Sequence, residues 1–82
     1  MTEQEIFDKV VAILKPYVKN KDALTKVSNE TNILDDLKVN SARLVDVVLA
    51  FEDEFEIEIA DEDSDAVDTV GDAVRLIKEK IG

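Results

Sequence analysis

The chain has no cysteine, no histidine and no tryptophan, and only two glycines and one proline among its 82 residues. Without cysteine there are no disulfides, no thiolate nucleophile and no sulfur ligands for zinc or iron–sulfur clusters. Without histidine there is no Ser–His relay, no imidazole metal ligand and no side chain that ordinarily titrates near neutrality. Gly71 and Gly82 stand too far apart to form a Gly-rich loop around a phosphate. Long apolar runs are missing too. The longest, Val10 to Leu14 and Val47 to Phe51, are five residues each, whereas a bilayer span needs about 20. No secretory signal precedes them, so the expected setting is cytoplasmic, with no membrane partner. A chain this small buries only about 60–65% of its unfolded surface, which leaves little wall for a deep catalytic cleft.

What is abundant is acid. Asp and Glu number 20 against 10 Lys and Arg, for a formal charge of −10. Residues 1–40 hold seven acids and six bases, whereas residues 41–82 hold thirteen acids against Arg43, Arg75, Lys78 and Lys80. Between Leu44 and Val74 there is no base at all. Such a region repels nucleic acid and anionic lipid and attracts basic protein surfaces.

No Pro/Gly/Ser linker, internal repeat or low-complexity tract interrupts residues 1–82, so a single domain is expected. Helical periodicity predicts an all-α bundle of three main helices plus one short one. The first spans about Glu3 to Val18. Thr2 and Glu5 fit a capping box, and Ile6, Val10, Ile13 or Leu14, and Tyr17 form one stripe. Pro16 lacks an N–H and its ring crowds the carbonyl of Ala12, so a kink or early end is expected near it. Lys19 to Asn40 reads as a long loop that needs anchoring, with Ile33, Leu34 and Leu37 as candidate pins and Leu24 and Val27 near its start. The second main helix is expected from Ser41 to about Glu56, with Leu44, Val48, Phe51 and Phe55 inward. Val45, Val47 and Leu49 widen its apolar surface beyond one stripe, which implies packing on more than one side or a ligand against it. A short helix is expected within Ala60 to Val67. The last opens at Thr69, with Asp72 as its acidic capping partner and Val70, Ala73 or Val74, Ile77 and Ile81 as its stripe.

Few residues qualify for chemistry. Asp61, Asp63, Asp65 and Asp72 have something of the spacing of a calcium loop. However, Ala66 stands where the sharp turn needs Gly, and Asp72 is shorter than the usual bidentate Glu. Loose electrostatic attraction of divalent cations is expected there, and no dedicated metal site. The acids sit on predicted polar faces, where nothing raises a carboxyl pKa for acid–base work. That leaves Ser41, after a long loop and at the start of the strongest amphipathic helix. Taken alone it is an ordinary N-cap serine, or the residue behind an Asn40 cap. A helix start also favours a bound or attached anion. No base stands nearby to activate the hydroxyl, so it would be a substrate of another enzyme rather than a nucleophile.

These residues resemble a family, the acyl carrier proteins. Asp36-Leu37 and Asn40-Ser41-Ala42 stand where the family has Asp-Leu-Gly-x-Asp-Ser-Leu. Val45 to Phe55 is similar to its second helix, Ile57 to Asp63 to its Ile-x-Ile-Pro-Asp-Glu-Asp stretch, and Thr69 to Val74 to the opening of its last helix. The resemblance implies a 4′-phosphopantetheine arm attached covalently to Ser41 by a phosphopantetheinyl transferase, with acyl groups carried as thioesters on the arm's thiol. It implies monomeric delivery to acyl-transferring or condensing enzymes whose basic surfaces meet Asp36, Asn40, Asp46, Glu52, Asp53 and Glu54. Ile33, Val45, Val48, Leu49, Phe51 and Val67 are the expected shelter for the acyl chain. The chain departs from the pattern at Lys38 (usually Gly), Asn40 (Asp), Ala42 (Leu), Arg43 (commonly an acid), Glu56 (Gly) and Ala60 (Pro). The attachment region is therefore more cationic than is usual. An alternative stays open at this stage: an unmodified interaction module that keeps the fold and docks basic partners through its acidic second helix.

The uncompensated acids generate a first prediction. Low salt should destabilise the fold, and NaCl or divalent cations should raise the melting temperature by screening the second half. Melting curves indifferent to both would show the charge to be internally compensated.

Overall fold

A computed structural model describes residues 1–81. Its helices are α1 (Glu3–Leu14), α2 (Leu44–Phe55), α3 (Asp61–Asp65) and α4 (Val70–Ile81). Short 3-10 turns occupy Lys15–Tyr17, Lys21–Lys26 and Ser41–Arg43. Among the described residues there is no strand, only an isolated antiparallel bridge between Asn32 and Thr69. The architecture is thus the expected helical bundle, three long helices and a short one.

Helix α1 begins at the anticipated capping box. Glu5 N–H donates to Thr2 Oγ1 at 3.2 Å, and Thr2 N–H donates to Glu5 Oε1 at 3.1 Å. The bond from Thr2 N–H, and after it the Thr2 hydroxyl, holds the Glu5 carboxyl below its ordinary pKa. The helix stops at Leu14 rather than Val18. Pro16 lies in the 3-10 turn that follows, whose tighter winding does not need the proline's missing donor. Ile6, Val10 and Leu14 are buried on the inner face. Helix α1 packs most extensively on α4, which buries Val70, Ala73, Val74 and Ile77, and also touches α2. Ile81, expected in the α4 stripe, is exposed near the end of the chain.

Helix α2 corrects the expected stripe. Val47, Phe51 and Phe55 are its buried residues, while Leu44 and Val48 are half-buried. The apolar surface spans two sides, and the side facing α1 and α4 lies closer to Val47 than the 4-3-4 spacing suggested. The α-helix proper starts at Leu44, because Ser41–Arg43 is wound as a 3-10 turn, and it ends at Phe55. Glu56 then takes the left-handed conformation, φ 55°, at the C-cap where glycine is normally favoured.

The connection from Lys19 to Asn40 is far from structureless. Beyond its own 3-10 turn it is hydrogen-bonded to the start of α4. Ile33 N–H donates to Asp68 O, Val70 N–H to Thr31 O and Gly71 N–H to Asn29 O, at 3.0, 2.9 and 2.8 Å. Asn32 organises the next turn. Its side-chain oxygen accepts from Leu34 and Asp35 N–H, and its carbonyl accepts from Asp36 and Leu37 N–H. Ile33, Leu37 and Val39 are consequently buried. Leu34, Leu24 and Val27 pack only partly. Val39 had no periodic pattern around it to announce its burial.

Gly71 is where the two segments approach closest. A Cβ there would lie 2.7 Å from Asn29 O and 2.9 Å from Asn29 Cβ. Gly71→Ala should therefore force these backbones apart and lower stability by about 1–3 kcal/mol, the usual cost of overpacking. Thermal unfolding checks this, and an unchanged melting temperature would show the contact to be yielding.

Candidate functional site

Ser41 is set in place from both sides. Upstream, Val39 is buried and its N–H donates to Ile33 O at 3.3 Å, so the chain leaves the core at Asn40. Asn40 is the N-cap: its side-chain oxygen accepts Ala42 N–H at 2.9 Å, and its carbonyl accepts Arg43 N–H at 2.8 Å. Ser41 is therefore the first residue behind an asparagine cap and not the cap itself. This frees its hydroxyl, which is exposed and has no hydrogen-bond partner among the described residues. The 3-10 turn runs straight into α2, so the backbone behind the hydroxyl is the positive end of one helical stretch. Arg43 adds positive charge two residues on, its guanidinium 3.3 Å from Asp46.

Beside Ser41 runs an open groove of about 270 Å³, lined by the apolar Leu44, Val45, Val48, Leu49 and Ile59 and by the polar Glu52, Asp61, Ser64 and Asp65. Val45 and Leu49 are 65% and 54% exposed. Deeper in lies a second space, between α2, α3 and α4. It is lined by Ile33, Leu44, Val48, Phe51, Ile59, Val67 and residues of α4, with Ser64 the only hydroxyl. Its free volume is about 10 Å³, room for about one water. Leu44, Val48, Ile59 and Ser64 belong to both spaces, so they form the partition between groove and interior.

The structure thus divides the expected acyl shelter. Ile33, Val48, Phe51 and Val67 converge on the interior space, whereas Val45 and Leu49 do not and line the outer groove. Counting apolar positions on a helix shows how wide the surface is, but not which part a neighbour covers. Leu44, Ile59 and Leu76 also line the interior but were not among the residues expected to shelter the acyl chain, although Leu44 was expected inward. Ile59 had a signal, standing in the short alternating run after α2.

The expected docking residues likewise separate. Asp36 is committed to its own loop, accepting Asn32 N–H at 2.8 Å. Asn40 caps the helix start, Asp46 pairs with Arg43, and Glu54 pairs with Lys9 of α1 at 3.2 Å. Glu52 and Asp53 have no cation within ion-pairing distance among the described residues. The acids once compared with a calcium loop do not converge either: no group of three or more carboxylates is placed to hold a metal among the described residues. Asp61 to Asp65 is helical, and Asp72 is occupied in capping α4. Its carboxylate accepts Asp68 and Thr69 N–H, each at 3.1 Å, and these bonds hold its pKa below the ordinary value.

Asp63 has a different task. Its carboxylate lies 3.0 Å from Lys80 Nζ, an ion pair that fastens α3 onto the last turn of α4. The hydrogen bond from Lys80 keeps the Asp63 carboxyl below its ordinary pKa. Helix α3 has no side-chain cap. Neighbouring Ser64 and Val67 line the interior space, so this contact closes one wall of it.

An exposed serine at a helix start, beside an apolar groove next to an apolar interior, is a layout suited to a carrier of a tethered group. Comparison with known proteins agrees. Residues 9–77 match the family described as phosphopantetheine attachment site. The chain is 44% identical to the acyl carrier protein of Picosynechococcus sp., covering 96% of this chain and 95% of that one. It is 40% identical to the acyl carrier protein of Lactobacillus acidophilus over the whole of both chains. A solved acyl carrier protein from Enterococcus faecalis superposes with a TM-score of 0.79 at 38% identity, covering 98% of this chain and 99% of that one. The chain belongs to the acyl carrier protein family. It is a carrier protein and its function is acyl carriage, with 4′-phosphopantetheine as a covalently attached cofactor. These relatives do not favour an unmodified docking module.

The α3 contact yields a prediction with a sign. A lowered carboxyl pKa contributes stability above the ordinary value of 3.8 that is lost as pH falls through the folded-state pKa. Lys80→Met should therefore speed hydrogen exchange of the amides around α3 near neutral pH. Variant and parent should converge as the medium is acidified below that range. Equal exchange at neutral pH would show that the ion pair does not hold α3.

Proposed function

We propose that residues 1–82 act as one carrier domain whose arm is attached at Ser41 by a phosphopantetheinyl transferase. The supporting observation is the free, exposed Ser41 hydroxyl behind the Asn40 cap. When bound, the arm supplies the thiol that holds an acyl group as a thioester. The protein's own residues present and shelter. Asn40 satisfies the loose N–H of Ala42 at the helix start, which leaves the Ser41 side chain without a capping duty. The helix start and Arg43 favour the negative charge of a phosphodiester at Ser41. No histidine exists in the chain to take the serine proton, so the base for attachment belongs to the transferase.

Leu44, Val45, Val48 and Leu49 offer an apolar path along α2, and Ile33, Phe51 and Val67 an apolar interior. With about 10 Å³ free, that interior accepts a chain only if α3 or the α2 side chains give way. Apolar contact is what makes the displacement favourable, at about 0.8 kcal/mol per buried methylene. Glu52 and Asp53, with Asp46 and Glu54 after exchange of their intramolecular partners, are the acids available to basic surfaces of acyl-transferring or condensing enzymes. Such exposed pairs are weak, so exchange costs little. The same reading has the protein working as a monomer in the cytoplasm, on lipid or polyketide-like acyl groups and without nucleic acid or membrane partners.

Co-expression with a phosphopantetheinyl transferase should raise the intact mass by about 340 Da, and Ser41→Ala should abolish the gain. A mass that stays at the unmodified value with several transferases, or a gain that survives Ser41→Ala, refutes the assignment of the arm to Ser41.

A further inference from the structure

Segments 15–21 and 37–43 together contain five bases, Lys15, Lys19, Lys21, Lys38 and Arg43, and no acid, in a protein of net charge −10. The fold joins them. Lys19 and Asn20 N–H both donate to Leu37 O at 3.2 Å, and Lys21 Nζ donates to Lys15 O at 2.6 Å, closing off the end of α1. Immediately beyond, residues 44–65 contain ten acids and no base. Ser41 sits on the seam between these regions, and the Arg43–Asp46 pair crosses it. Lys19, Lys38 and Arg43 are all exposed.

A uniformly basic enzyme surface suits α2 but not this end of the molecule. At the serine, where an attaching enzyme must come closest, it would set like charges against Lys19, Lys38 and Arg43, and such juxtaposition is costly. A surface of split charge fits both sides at once. It also fixes the rotation of the enzyme about the serine, because turning it would bring like charges together on each side of the seam.

Resting on the attachment of the arm at Ser41, we propose that Lys19, Lys38 and Arg43 form a cationic collar that docks a carboxylate-lined lip of the transferase, next to that enzyme's basic groove for α2. The collar is a specificity device: it selects a transferase with this split rim and disfavours one whose rim is basic throughout.

The test ranks a panel of phosphopantetheinyl transferases by kcat/KM toward the full chain and takes the best of them. The combined variant Lys19→Gln, Lys38→Asn, Arg43→Gln removes the collar, asparagine being chosen for its tolerance of the positive φ at position 38. Its kcat/KM should fall about tenfold at low ionic strength, through KM for the carrier, and the loss should shrink with added salt. Arg43→Lys, which keeps the charge, should retain most of the rate conferred by Arg43. Helical circular dichroism and melting temperature verify that the variants are folded. If a separate Lys19→Gln, Lys38→Asn variant, which leaves the Arg43–Asp46 pair intact, also shows no loss, or if kcat/KM rises, the collar proposal is overturned. A rise in KM for coenzyme A instead of the carrier assigns the cations to that substrate's phosphates and likewise overturns it. If no enzyme modifies the parent chain, the attachment reading fails and the collar with it. Modification with collar-independent kinetics defeats the collar alone.

Discussion

The backbone hydrogen bonds between Asn29–Ile33 and Asp68–Gly71 are the constraint on which the rest of the arrangement depends. A connection of more than twenty residues has considerable closure entropy to overcome, and its polar composition gives it few apolar contacts to do so. Fastening its middle to the start of α4 shortens the free segment to a few residues. Ile33, Leu37 and Val39 can then reach the core, and Val39 sets the height at which the chain emerges as Asn40 and Ser41. The same region holds Thr69 and Asp72, which start α4. One patch of backbone pairing therefore positions a helix start on one side and the candidate attachment residue on the other.

Apolar packing, rather than ionic contact, holds the bundle together. Every buried residue among those described is hydrophobic. The four ion pairs among the described residues are partly exposed, and two are local, between residues three apart in sequence. Such pairs contribute little individually. Two of them matter for where they lie: Lys9–Glu54 links α1 to α2, and Lys80–Asp63 links the short α3 to α4. Among the described residues the acid-rich stretch from α2 through α3 therefore meets Arg43 and one base from each of two other helices, and most of its charge is left facing outward.

Much of this was legible in the sequence. The 3.6-residue spacing in Ile6–Val10–Leu14 and Val70–Val74–Ile77 located two helices and their inner faces. Thr2–Glu5 and Thr69–Asp72 marked their starts, because a cap is a local event within four residues. Asn40-Ser41 was legible for the same reason, down to the possibility that asparagine and not serine makes the cap. What could not be read is non-local. The pairing of residues 29–33 with 68–71 joins segments nearly forty residues apart and leaves no periodic trace. Val39 is buried by that pairing and not by a pattern. On α2 the apolar positions run more than halfway round, so spacing could not decide that Val47 turns inward while Val45 and Leu49 face the outer groove. The Asp63–Lys80 contact likewise depends on where α3 is laid down, and a run of acids offers no means of choosing which one finds the lysine.

The interior between α2, α3 and α4 is nearly full, with space for about one water at most. Proteins of this packing density deform by moving whole side chains and helices rather than by compressing. If the acyl chain lodges there as proposed, it must displace the wall, and a longer chain must displace it further. On the proposed reading, the outward contour of α2 and α3 would vary with cargo length, open to an enzyme that touches only the protein's exterior.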